Sequence, residues 1–389
     1  MRVVLGDAED LRVSLLEWFE CNGRHWIPWK LKANGKLPNS GETLPVYGIW
    51  IAEVMLQQTQ LRVVLPYWEK WMQTFPSIAI LANANEQEVL LHWQGLGYYS
   101  RAKRLHIASK VLVALCEGNS DNSGKQFSWP RQVEEWMKLP GIGRSTAGSI
   151  LSSAFDLPTP LLDGNLKRIF SRLIASPHPP SKDEFRLWSF SCELLDVKSP
   201  RKFNQALMDL GATVCTPNNP KCLICPIKSY CLSFAFYDPR DFPTKIVKNS
   251  IPSYVIGIGI VINTAGKILI AQRLPDKTMG GMWEFPGGKQ EQDEAIEHTI
   301  ARELREELAI DVQVGKKLIE LDHAFSHKKF HFIVHLCQLI SGQPQPLASQ
   351  QLRWVLPNEL EKYPFPVANT RMITALHEYL YSSKIATNQ

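Results

Sequence analysis

The chain has 389 residues, 44% of them hydrophobic, which is too long for one ordinary core and excludes a disordered polypeptide. Its 43 Lys and Arg outweigh 38 Asp and Glu, and the net charge of +5 mildly favours a polyanionic partner without specifying a fold. The opening MRVVLGDAED carries acids too early for a secretory leader, and no apolar run is long enough to cross a bilayer. A cytoplasmic protein without membrane contact is expected.

Up to about residue 235 the pattern predicts helices. Leu11, Leu15 and Phe19 recur at helical spacing, and Gly23 stands where a C-terminal cap would. The polar stretch KANGKLPNSGETLP predicts a loop, and residues 47–65 predict one strong helix. Within it Ile49, Trp50, Ile51, Ala52, Val54, Met55 and Leu56 surround Glu53 nearly all round, so that helix is expected to be buried. A carboxylate there is costly unless paired or protonated. Burial would raise its pKa toward what a general acid needs near neutral pH, whereas a salt bridge to Lys or Arg is the plainer reading. Further helices are expected to break at Pro76, near Gly95 to Gly97, and in the polar run GNSDNSGKQ.

LPGIGRSTA at 139–147 reads as a glycine hairpin between two helices. Gly141 and Gly143 permit close approach and positive φ, and the helix behind them offers N–H groups to an anion such as a DNA phosphate. An ordinary interhelical turn is the alternative. Asp163, in LLDGNLKRIFSRL, is placed to N-cap the helix that follows. A second carboxylate is also what glycosidic chemistry requires: one acid protonates the leaving group while the other stabilises an oxocarbenium-like sugar. Glu53 and Asp163 can share that work only if the fold brings them together.

Cys215, Cys222, Cys225 and Cys231 are spaced C-x6-C-x2-C-x5-C in one short loop interrupted by Pro217, Pro220 and Pro226. That spacing is neither a secreted disulfide framework nor two separated zinc knuckles. Four thiolates suit a [4Fe-4S] cluster or a tetrahedral metal. Cys21, Cys116, Cys192 and Cys337 are scattered, as in a reducing compartment.

Pro239, Pro243 and Pro252 punctuate a linker, after which the pattern changes. YVIGIGIVI and KILIAQR predict strands around a turn at 263–266, a single helix is expected over 293–308, and FHFIVHLCQLI predicts another strand. The tail SSKIATNQ is expected to fray. Gly288-x5-Glu294-x7-Arg302-Glu303-Leu304-x-Glu306-Glu307-x-Ala309-Ile310 resembles a Nudix box, with Ala309 in place of the usual glycine, and WEFPGG precedes it. Glu303, Glu306 and Glu307 share one helix face. They could hold Mg²⁺ against a diphosphate, or form a solvated acidic face paired with Arg302 and Arg305.

In sequence, the glycine hairpin, the L-L-D-G-N segment and the four cysteines resemble the endonuclease III superfamily of DNA glycosylases. EVMLQQTQ, GLGYYSR and FNQALMDLGATVC narrow the resemblance to the adenine DNA glycosylases. The resemblance covers nearly the whole chain. It implies a multidomain protein: a mostly α helix-hairpin-helix glycosylase domain over 1–235, with the hairpin near 138–150 and an iron-sulfur loop at 215–231, then a linker over 236–251. An α/β Nudix-like sandwich follows over 252–381. It implies a structural [4Fe-4S] cluster on the four cysteines beside Lys221. Glu53 would protonate the purine at N7, Asp163 would stabilise the sugar cation, and Asn165 would orient nearby groups. Trp29 would wall the pocket, or simply belong to the core. Gln58 and Tyr98 match positions that wedge into the duplex, with Thr59 and Leu96 beside them, though tyrosines are often core. Ser145 stands where bifunctional members carry a Schiff-base lysine, so no lyase step is expected. In HAFSHKKF, Ser326 and His327 match the loop that contacts 8-oxoguanine, with Lys328 and Lys329 near phosphate. The implied substrate is duplex DNA with adenine opposite 8-oxoguanine, and also opposite guanine, acted on by a nucleoid-associated monomer. The alternative adds hydrolysis of a nucleoside diphosphate-linked substrate by the Nudix-like domain, with Mg²⁺ at its box. A bifunctional pyrimidine-lesion lyase and a non-catalytic lesion-binding protein are the other rivals; Ser145 opposes the first, Glu53 and Asp163 the second.

Overall fold

A computed structural model describes residues 8–117, 128–245, 251–324 and 328–387. Its contacts divide the chain into two units: Met1–Ala82 with Ile107–Lys248, and Asn83–His106 with Asn249–Gln389. The expected order, helical first and mixed α/β last, is what the structure shows.

The helices in chain order are α1 (Ala8–Asn22), α2 (Val46–Leu56), α3 (Leu61–Thr74), α4 (Ile78–Asn83), α5 (Glu86–Trp93), α6 (Ser100–Glu117) and α7 (Val133–Met137). They continue as α8 (Arg144–Phe155), α9 (Gly164–Leu173), α10 (Glu184–Leu194), α11 (Pro200–Thr213) and α12 (Leu232–Phe236). Leu11, Leu15 and Phe19 of α1 enter one core with Leu166, Ile169 and Phe170 of α9 and Leu207 and Leu210 of α11. The single helix expected over 47–65 is two helices. The four polar residues Gln57 to Gln60 interrupt the apolar pattern, Gln58 turns to φ 60°, and the Thr59 N–H bonds the Leu56 carbonyl in a turn.

The sheet of the second unit has seven strands: β1 (Ser253–Ile262), β2 (Ile268–Arg273), β3 (Trp283–Glu284), β4 (Gly287–Lys289), β5 (Asp311–Ala324), β6 (Lys329–Ser341) and β7 (Ser349–Val355). Its path runs β3-β2-β1-β6-β5, with β4 on β1 and β7 on β2, and only β1 and β6 are parallel. Gly257 and Gly259 explain the odd sequence of β1: a Cβ there would lie 2.8 Å from Ile300 and 2.7 Å from Leu304. They let α13 (Ile296–Leu308) press onto the strand. A second helix, α14 (Val367–Thr387), contradicts the expected single helix and continues through most of the tail expected to fray. Its Ala368, Met372, Ile373 and Leu376 bury against the face of the sheet carrying Ile256, Ile258 and Ile260.

Candidate active site

Glu53 lies on α2 between residues that are wholly buried, Trp50, Ile51 and Ala52 among them, while its own side chain is half-buried. Helix α8 packs along α2. Burial pushes the Glu53 carboxyl up to about 7, the Ser149 hydroxyl of α8 opposes that rise, and the charge of Asp163 adds to it. Ser149 Oγ is buried without a well-formed hydrogen bond. Among the described residues no Lys or Arg acts on Glu53, and the salt-bridge reading falls away. The charge of Asp163 therefore reaches Glu53.

The chain leading to Asp163 is pinned residue by residue. Gly148 of α8 allows the approach, since a Cβ there would sit 2.3 Å from the Pro160 carbonyl oxygen. Thr159 Oγ1 donates to the Gly148 carbonyl (2.8 Å), and Asn204 Nδ2 donates to the Thr159 carbonyl (3.0 Å). Ser191 Oγ donates to the Leu161 carbonyl (2.7 Å), and the Leu162 N–H donates to Ser145 Oγ (3.0 Å). Ser145 is thus a prop for the residue before Asp163 rather than a bystander.

Asp163 is the N-cap that the sequence offered. One oxygen accepts the Leu166 N–H (2.8 Å) and caps α9; the other accepts from Asn165 Nδ2 (3.2 Å). Burial raises its pKa, opposed by the Leu166 and Asn165 N–H groups, the Arg168 charge and the Asn165 side chain.

Arg168, which sequence reasoning did not single out, holds Asn165. Its Nη2 donates to Asn165 Oδ1 (2.9 Å) and the Gly211 carbonyl (2.7 Å), and its Nε donates to the Cys215 carbonyl (2.8 Å). One turn on, Arg172 donates to Cys215 Sγ (3.2 Å) and to the carbonyls of Thr216 (2.7 Å), Pro217 (2.9 Å), Pro239 (2.8 Å) and Phe242 (3.0 Å). Arginines four apart on a helix capped by aspartate were the available signal.

Cys215, Cys222, Cys225 and Cys231 line one cavity with Arg172, Lys221 and Lys228. Burial, opposed by the Ile227 N–H and helped by the charges of the other three cysteines, pushes the Cys225 thiol up to about 12. An all-sulfur donor set around one cavity, with cations beside it, fits an iron-sulfur cluster and offers nothing to a hard oxygen-seeking ion. Among the described residues no group of three or more His, Cys, Asp or Glu is arranged so that it could hold a metal ion.

At the hairpin Gly141 has φ 83°, as expected. Gly143 does not take positive φ; at φ −94° it is the extended N-cap of α8, and a Cβ there would meet nothing within 4 Å, which leaves that helix end open. Gln57 Nε2 ties the hairpin to α2 through Thr146 Oγ1 (3.2 Å). Gln58 is exposed at φ 60°, with Thr59 half-buried after it. Trp29 is half-buried with its ring 5.3 Å from Trp68, and its neighbour Lys30 pairs with buried Asp209 (3.0 Å), as Arg24 does (2.6 Å).

In the second unit Tyr98 is 50% exposed at φ 47°, while Leu96 is buried. A left-handed conformation outside glycine costs of order 1–3 kcal/mol and persists where surroundings enforce it. Ser326 and His327 lie outside the described residues. The box acids diverge: Arg302 pairs with Glu294 (2.9 Å), Glu303 (3.0 Å) and exposed Glu306 (3.3 Å), whereas burial and the charges of Glu284 and Glu303 push Glu307 up to about 7. Arg305, expected to pair with the box, pairs instead with Asp311 (2.7 Å) across the helix end. No helix among the described residues is long and apolar enough to cross a membrane.

The family described as "HhH-GPD superfamily base excision DNA repair protein" matches residues 51–189, and "NUDIX domain" matches residues 257–375. An adenine DNA glycosylase of Buchnera aphidicola subsp. Acyrthosiphon pisum (strain APS) is 31% identical over 332 residues, covering 85% of this chain and 86% of that one. The protein of that name from Mus musculus is 32% identical over 402 residues, covering 90% and 75%. That of Arabidopsis thaliana is 32% identical over 394 residues, covering 87% of this chain and 60% of its own length.

Proposed function

The chain belongs to the adenine DNA glycosylase family, and from that premise we propose that it excises adenine lying opposite 8-oxoguanine, or opposite guanine, in duplex DNA. The buried Glu53 carboxyl, raised to about 7 with the Asp163 charge acting on it, carries the reading. The adenine leaves the stack for the pocket walled by Trp29. Glu53, protonated near neutrality, gives its proton to N7, and the purine departs with the electrons of the glycosidic bond. Asp163, oriented by Asn165 and the α9 N–H groups, stabilises the sugar cation until water attacks C1′. Ser145 offers no amine, so the product is an abasic site and the strand stays whole.

The four cysteines would hold a [4Fe-4S] cluster, whose iron–thiolate bonds would fix the loop beside Lys221. The domain limits 1–235, 236–251 and 252–381 are part of the same proposal, with Ser326 and His327 reading 8-oxoguanine. Gly141 and Gly143 would present the α8 N-terminus to a phosphate; Gln58 and Thr59 would meet the duplex from the helical unit, and Tyr98 and Leu96 would do so from the second. A monomer acting on DNA in the cytoplasm is proposed. Nucleotide hydrolysis at the Nudix-like box is the second reading. The charges of Glu284 and Glu303 acting on Glu307 favour it; the pairing of Glu303 and Glu306 with Arg302, and the lack among the described residues of three acids set to hold a metal ion, oppose it.

Single-turnover excision from duplexes with adenine opposite 8-oxoguanine, guanine or thymine tests the proposal. Strand breaks appearing only after alkali, and not opposite thymine, are expected. An intact adenine opposite 8-oxoguanine in iron-replete protein would overturn it and direct attention to Mg²⁺-dependent nucleotide hydrolysis.

A further inference from the structure

Residues Asn83–His106 lie in the chain between stretches of the helical unit, yet their contacts place them with the sheet of the second unit. They include the turn at 95–98 that exposes Tyr98. The turn itself is braced from within. Trp93 Nε1 donates to the Gly97 carbonyl (3.1 Å), and Arg101 Nη2 donates to the carbonyls of Leu96 (3.2 Å) and Gly97 (3.1 Å). The Gly95 N–H donates to the Tyr99 hydroxyl (3.3 Å), and the Arg101 guanidinium lies 5.6 Å from the Tyr98 ring. These bonds fix the shape of the turn but not where it stands.

Its place is set at both ends of α5. In the first turn, Gln87 accepts from Trp283 Nε1 (2.8 Å) and donates through Nε2 to the Gly281 carbonyl (2.8 Å). At the C-cap, one residue before Gly95, Gln94 Oε1 accepts the Phe365 N–H (3.0 Å). The anchors do not yield. Trp283 and Phe365 are fully buried, the Trp283 N–H bonds the Pro364 carbonyl (2.9 Å), and Gln272, also buried, donates to the same Gly281 carbonyl (2.9 Å). Tyr363 packs edge-on against Trp283 at 5.1 Å. One glutamine in the first turn of an eight-residue helix and one at its C-cap thus meet backbone and indole groups of Gly281, Trp283 and the segment before α14.

We propose that Gln87 and Gln94, seated on Trp283, Gly281 and Phe365, are positioning residues that set the Tyr98 turn for reading the base opposite adenine. The inference rests on the glycosylase reading above. It adds that the second unit governs opposite-base preference through Tyr98, independently of its own lesion-contacting loop. Their role needs no contact with DNA. Their loss shifts a strained turn whose side chain must meet a base step, and the effect falls on discrimination more than on chemistry.

The test uses full-length, iron-replete protein and single-turnover excision of adenine opposite 8-oxoguanine and opposite guanine. In Gln94→Met and, separately, Gln87→Met, the ratio of the two rates is expected to fall about tenfold, the scale of a coupling between contacting groups. Excision opposite guanine should change less than threefold. Tyr98→Leu combined with Gln94→Met should lower the ratio no further than Tyr98→Leu alone. A loss of packing only would depress both rates together, or lower thermal stability while leaving the ratio, and would overturn the inference, as would full additivity with Tyr98→Leu. A wild-type protein that leaves adenine opposite 8-oxoguanine intact would overturn the glycosylase reading itself; a wild type with a clear preference that both Met variants retain overturns only this inference.

Discussion

Replacing Glu53 by Gln is expected to stabilise the protein while abolishing excision. The folded carboxyl sits at about 7 against 4.5 for an unperturbed one, chiefly through burial. Because the folded pKa is raised, ionisation opposes folding. The penalty is absent below about pH 4.5, where both states are protonated; it grows as pH rises, and is complete above about pH 7. At about 1.4 kcal/mol per unit, the full penalty is roughly 3 kcal/mol. A buried Gln also forfeits solvation, so the net gain from Glu53→Gln at pH 8 should be about 1–2 kcal/mol. In a unit of this size that corresponds to a rise of roughly 2–8 °C in Tm. The assay is the melting temperature of wild type and variant from pH 4.5 to 9, followed by tryptophan fluorescence, with single-turnover excision alongside. The difference between the curves should be near zero at the acid end and level off above pH 7. A variant no more stable than wild type at pH 8, or a pH-independent difference, would show that Glu53 is not held protonated by its surroundings.

If Glu53 is the proton donor, the excision rate should fall about tenfold per pH unit above pH 7; a rate flat to pH 9 would assign the proton to another group. Gly148→Ala must push a Cβ against a backbone carbonyl, and a loss of at least about 1–3 kcal/mol in urea unfolding is expected, with slower excision as Asp163 moves. An unchanged urea midpoint would refute that close approach. Ser145→Lys should create a borohydride-trappable adduct and strand nicking, at a cost of about 1–3 kcal/mol for the orphaned Leu162 N–H. Absence of the adduct in folded protein would mean the residue does not face C1′. Cys222→Ser should lower bound iron and sulfide together, and stoichiometric retention of both would remove that cysteine from the ligand set.

The division into a helical part and a sheet part was legible from the sequence because the apolar period changes after the proline-rich stretch. The carboxylate pair was legible only as two candidates. Nothing in the local pattern says that Gly148 lets Pro160 approach, and that approach helps bring Asp163 to Glu53. The junction at Gln58 was missed because apolar residues on both sides keep helical spacing, while only four polar residues mark the break. Helix α14 was missed although Ala368, Met372, Ile373 and Leu376 carry its stripe. Arg168 and Arg172 read as ordinary helix charges, since their partners are backbone carbonyls that no sequence pattern displays. The same holds for Gln87 and Gln94, whose partners lie nearly 200 residues or more away.

Trp129 and Trp136 stack in nearly parallel planes, 7° apart at 5.9 Å, and Trp50 meets both edge-on at about 6 Å. Three indoles so close and so fixed form a coupled chromophore whose near-ultraviolet circular dichroism depends on their mutual angles. Trp50 stands one turn before Glu53 on α2, while Trp136 belongs to α7. The protein therefore carries an intrinsic optical gauge of the seat of its catalytic helix. A small rotation of α2 would change the sign or size of that band while the far-ultraviolet helix signal stayed constant, so displacement of the proton donor can be followed in unlabelled protein.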